Sequence, residues 1–73
     1  MSKPLQEVRF YEINGLWQDA HGCVLADFLS EYNIVMDDRC QFARLYDYER
    51  MLCIWYRAHA GRVTITIWRI YES

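Results

Sequence analysis

An α+β domain, with one amphipathic helix packed on a three- to four-stranded antiparallel sheet in the order β-α-β-β-β, is predicted by three features of the sequence. The stretches VRFYEI (8–13), MLCIWYRA (51–58) and VTITIWRIY (63–71) are rich in β-branched and aromatic residues. One segment, 19–33, has apolar residues recurring at three- and four-residue steps instead. The turn sequences Asn14-Gly15 and His59-Ala60-Gly61-Arg62 punctuate the apolar runs.

The first strand is predicted over Val8 to Ile13 and ends at Asn14-Gly15. From Asp19 to Asn33 the residues Val24, Leu25, Phe28, Leu29 and Tyr32 fall on one helical face, with Asp27, Ser30 and Glu31 between them. Gly22 costs a helix interior about 1 kcal/mol relative to alanine, so the regular part is expected to begin at Cys23. Asn33 supplies a stop. Asp37-Asp38 reads as a turn. Arg39 to Tyr46 is compatible with strand or helix, and its shortness and the polar Asp47-Tyr48-Glu49-Arg50 turn that follows favour strand. Met51 to Ala58 and Val63 to Tyr71 complete the sheet.

Side chains alternate along a strand, so turn positions predict which residues share a face. A turn centred on Ala60-Gly61 pairs Ala58 with Val63, Tyr56 with Ile65 and Ile54 with Ile67, which is core. A turn centred between Tyr48 and Glu49 sets Leu45 opposite Leu52 and Ala43 opposite Ile54, on the same surface. The other face then collects Phe42, Tyr46, Met51, Cys53, Trp55, Trp68 and Ile70, bordered by Arg44, Arg57, Thr64 and Thr66. One helix covers one face. Two covers are open to the second: the N-terminal segment from Leu5 to Trp17, folding back with Phe10, Tyr11 and Trp17, or the surface of another protein.

Composition narrows the function classes. Seventy-three residues, 53% of them apolar, with three glycines and one proline, describe a single compact domain over residues 1–73. Such a chain buries only about 60% of its unfolded surface, which makes a stabilising partner useful. The longest apolar run is the six residues Met51 to Tyr56, far short of the roughly 18 a membrane helix needs, so no membrane role is expected. Three cysteines, an odd number, and the lack of a basic-then-apolar leader predict a cytoplasmic setting.

Chemistry is sparsely encoded. His21, Cys23, Cys40, Cys53 and His59 lack the close ligand pairs of structural zinc sites, so no metal is expected. Cys53 and His59 stand about 20 Å apart along an extended strand, and His21-Gly22-Cys23 is a thin basis for a nucleophile. No catalytic residue is predicted. Gly15, Gly22 and Gly61 form no phosphate-cradling pattern, and no cofactor is expected. Asp27 and Glu31, with Asp19, outline an acidic stripe, either a solvated face or a docking surface for a basic partner.

The predicted function is therefore non-catalytic: stoichiometric association with another protein or a second copy, through Phe42, Arg44, Trp55, Arg57 and Trp68. Chains of this size and type include inhibitors, adaptors and antagonists of host defence carried by phages and mobile elements. The alternative is a single-stranded nucleic-acid-binding module, because aromatic residues interleaved with arginine on a sheet face stack bases. A net charge of −2 opposes it. Residues 1–36 carry −3 and residues 37–73 carry +1, with arginine supplying every cation of the second half.

Overall fold

Five antiparallel strands and one short helix make up the computed structural model, which describes residues 3–37 and 39–70. In chain order they are β1 (Gln6–Ile13), β2 (Leu16–Gln18), α1 (Leu25–Glu31), β3 (Phe42–Asp47), β4 (Leu52–His59) and β5 (Arg62–Arg69). The strands lie in the spatial order β2-β1-β5-β4-β3. The α+β class holds, with a wider sheet than the expected three or four strands and β-β-α-β-β-β as the element order. Tyr71 and Asp38, placed by the sequence at a strand end and in a turn, lie outside the described residues.

The additional strand follows from the Asn14-Gly15 turn. Both residues have positive φ, 53° and 80°, the left-handed pair that a two-residue hairpin turn requires. The chain reverses there, and Leu16, Trp17 and Gln18 pair with Ile13, Glu12 and Tyr11. β1 also pairs along β5, from Gln6 opposite Ile67 to Tyr11 opposite Arg62. The N-terminal hairpin thus extends the sheet rather than lying across it, a correction to one of the two covers considered for the second face.

The helix is shorter than its apolar period suggests, starting at Leu25 rather than Cys23. Asp19 explains the delay: its Oδ1 accepts hydrogen bonds from the backbone N–H of His21 and of Cys23, each 2.8 Å. Gly22 sits at φ 84°, outside helical space. A tight loop therefore occupies the residues before Val24. At the other end the predicted stop operates through Asn33, at φ 56°. The Asn33 N–H bonds the Ser30 carbonyl at 3.1 Å and the Ile34 N–H bonds the Leu29 carbonyl at 3.0 Å, the paired bonds of a left-handed helix terminus. Arg50 closes this end from the β3–β4 turn. Its Nη2 donates to the Glu31 carbonyl (2.9 Å), its guanidinium lies 4.9 Å from the Tyr32 ring centroid, and its Nε is 3.4 Å from Asp47 Oδ2.

The core lies between the helix and one sheet face. Phe10, Leu25, Phe28, Ile54, Tyr56, Val63, Ile65 and Ile67 are buried, and Phe10 meets Phe28 edge to face at 5.5 Å. Ile34, Met36 and Cys40 pack against the same cluster, so the segment after the helix shares the covering. The β4–β5 register is as expected: Ala58 faces Val63, Tyr56 faces Ile65 and Ile54 faces Ile67. The β3–β4 register differs by two residues, with Leu45 opposite Ile54, Ala43 opposite Tyr56 and Asp47 opposite Leu52. Asp47 Oδ1 takes the Arg50 N–H (3.0 Å) and Met51 adopts φ 57°, so the turn spans four residues and its centre moves along the chain. A two-residue slip preserves sidedness, because side chains alternate with period two.

The β4–β5 turn carries strain at one position. Ala60 has φ 50° and Gly61 φ 75°, and a non-glycine residue pays about 1 kcal/mol or more for left-handed backbone unless it is Asn or Asp. Ala60→Asn is accordingly expected to stabilise the fold by roughly 1 kcal/mol, raising the thermal midpoint by about 4–8 °C in a domain this small. A lowered midpoint in a calorimetric scan would contradict this turn geometry.

Candidate binding face

Strand pairing organises the second sheet face into rows. One row runs Glu7, Thr66, Trp55, Arg44 from β1 to β3, and the next runs Arg9, Thr64, Arg57, Phe42. Flanking them are Tyr11, Arg62 and His59 on one side and Trp68, Cys53 and Tyr46 on the other. The five residues singled out from the sequence, Phe42, Arg44, Trp55, Arg57 and Trp68, all belong to this face. Among the described residues no helix lies on it, because α1 packs on the core side. Phe42 is 57% exposed, Tyr46 49% and Trp55 36%, whereas Trp68 is half-buried.

Trp55 is held at the centre. Its Nε1–H donates to Cys53 Sγ at 3.0 Å, its ring meets Trp68 at 5.6 Å between centroids, and the Arg44 guanidinium lies 4.7 Å from its ring centroid. Three contacts therefore fix one rotamer. A side chain already immobilised loses little entropy when a partner packs against it. The Trp68 indole N–H is buried and meets no acceptor among the described residues, so packing against Trp55 and pairing opposite Cys53 hold this ring. Tyr46 stacks on Tyr48 at 5.8 Å with the ring planes 15° apart.

Beside Trp55 the face sinks into an open depression of about 610 Å³. Thr64 and Thr66 of β5 stand between Trp55 and Arg57 of β4, with Phe42 beyond them on β3, and Glu7 of β1, while Arg62 lies further along β5 itself. Sequence reasoning placed Arg44, Arg57 and the two threonines here but not Glu7, Arg9, Tyr11, His59 or Arg62. The first three depend on β1 joining β5, a long-range pairing without a local signature. For Arg62 and His59, the alternation of β5 and β4 was a usable signal.

Charge is segregated between the two sides of the molecule. Among the described strand residues the open face carries Arg9, Arg44, Arg57 and Arg62 against one carboxylate, Glu7, which is bound to Arg9 at 2.7 Å. Asp19, Asp27 and Glu31 lie by the helix, where Asp27 and Glu31 are exposed. Their charges act on Cys23. Its thiol is pushed above the ordinary value, first by desolvation and then by the negative charges of Asp19, Glu31 and Asp27. A thiolate nucleophile needs the opposite shift. Among the described residues no three His, Cys, Asp or Glu side chains are grouped to hold a metal ion, and no helix is long and apolar enough to cross a membrane.

No family model, curated protein or solved structure matches this chain.

The Cys23 environment is measurable. Site-resolved alkylation with iodoacetamide at pH 8, read by peptide mass spectrometry, is expected to label Cys23 more slowly than the same residue in urea-unfolded chain, despite its exposure. Faster labelling in the folded protein would point to an activated thiol and contradict the electrostatic picture.

Proposed function

We propose that this is a non-catalytic binding protein that associates stoichiometrically with another protein through the open sheet face, in the manner of an inhibitor or adaptor. The observation that carries the reading is Trp55: partly exposed, pinned by Cys53, Arg44 and Trp68, and flanked by the more exposed Phe42 and Tyr46. Tryptophan, tyrosine and arginine are the side chains most enriched among energetic anchors, and pre-organised anchors bind at lower entropic cost. Exposing several large aromatic rings on one face is unusual for a surface with no binding role. The three free cysteines support a reducing, cytoplasmic location.

A second copy of the chain fits this face less well. A two-fold contact sets a patch against itself, which would oppose four arginines and one glutamate to an identical set. Base stacking by single-stranded nucleic acid, favoured by the local excess of arginine, needs free ring faces. Here Arg44 already lies over Trp55 and Tyr48 over Tyr46.

The test begins with affinity capture from the source cell and native mass measurement of the complex. Phe42→Ala and Trp55→Ala are each expected to weaken it by about 2 kcal/mol, roughly 30-fold in Kd, with the far-ultraviolet circular dichroism unchanged. Phe42 is the cleaner probe because its exposure makes the substitution nearly neutral for folding. A folded Phe42→Ala and a folded Trp55→Ala that both bind with unchanged affinity would refute the reading.

A further inference from the structure

Resting on that reading, we infer that the partner segment seated on the open face is acidic, placing a carboxylate between Arg57 and Arg62 above Thr64 and an apolar side chain against Phe42 and Trp55. Arg57 pairs with Thr64 across β4 and β5, and Arg62 lies two residues from Thr64 on the same face. The two guanidiniums therefore stem from diagonal neighbours, about 7–8 Å apart at the backbone, a separation one carboxylate can bridge through forked hydrogen bonds.

Among the described residues neither guanidinium has a partner. Among the described residues the ion pairs are Arg9 with Glu7 and Arg50 with Asp47, and no hydrogen bond satisfies the Arg57 or Arg62 side chain. Glu7, the one carboxylate among the described residues lining the depression, is engaged by Arg9. The site thus holds unneutralised arginine charge beside exposed aromatic surface, and its complement combines anionic and apolar groups. A polypeptide supplies both within a few residues. Arginine suits this better than lysine would, since its planar fork pairs with carboxylates and its weak hydration lowers the cost of burial.

Phosphate would satisfy the same arginines, so the probes compare the two at equal charge. They are a capped Glu-Glu-Phe-Glu-Glu peptide and pentathymidylate, each with four negative charges, titrated into the isotopically labelled full chain at low and moderate salt. The peptide is expected to shift the Arg57 and Arg62 side-chain Nε–H, the Thr64 amide and the Trp55 indole N–H, with affinity falling several-fold as salt rises. Arg57→Gln with Arg62→Gln is expected to abolish those shifts while leaving the Phe10 and Ile65 signals in place.

Tighter binding of pentathymidylate would overturn the inference in favour of a nucleic acid. Shifts confined to Arg39 and Arg69, or none at low salt, would overturn it outright. If the peptide fails while Phe42→Ala still weakens the captured complex, the acidic-partner inference falls and the docking face stands. If both alanine variants leave that complex intact, the face itself is lost and this inference with it.

Discussion

Period-two alternation in a sheet whose covering elements, among the described residues, lie on one side is the constraint from which the rest of this structure follows. Ile54, Tyr56, Val63, Ile65 and Ile67 must meet the helix, so Trp55, Arg57, Thr64, Thr66 and Trp68 must face away from it. The covering elements, α1 and the segment carrying Ile34, Met36 and Cys40, are on the core side. The depression beside Trp55 is a consequence of that asymmetry, since two threonines separate bulkier neighbours on the adjoining strands.

The N-terminal hairpin decides what becomes of the uncovered face. By pairing β1 with β5 it sends Phe10 into the core and places Glu7, Arg9 and Tyr11 on the open side. It widens that side without shielding it. It also completes the charge asymmetry, because Arg9 neutralises Glu7 and leaves Arg57 and Arg62 without acidic partners among the described residues. The acidic groups near Cys23 are at the helix, so a chain of net charge −2 presents a basic surface where its aromatic residues are exposed.

Much of this arrangement is legible in the sequence, where local chemistry is decisive. Ala60-Gly61 and the alternating VTITI run set the β4–β5 register, and with it the faces of Trp55 and Trp68. Asn33 marks the helix end because a left-handed residue there closes two backbone bonds. Asn14-Gly15 announced a turn, but β2 has three residues and no alternation long enough to mark it as a strand. The helix start depends on Asp19 capturing two amides, a competition that apolar periodicity does not register. The β3–β4 turn moved because Asp47 bonds Arg50, and sidedness survived because the slip was even. β1 beside β5 is a contact between the two ends of the chain, which no local pattern encodes.

All of this requires that the aromatic face be open to solvent in the free chain. Paramagnetic relaxation by a soluble gadolinium chelate, measured on a sample whose mass is that of one chain, reports this directly. Side-chain protons of Phe42 and Trp55 should relax strongly, as those of fully exposed Val35 do, while Phe10 and Ile65 remain unaffected. Protection of Phe42 and Trp55 equal to that of Phe10 would show that the chain covers the face itself, and would contradict the account.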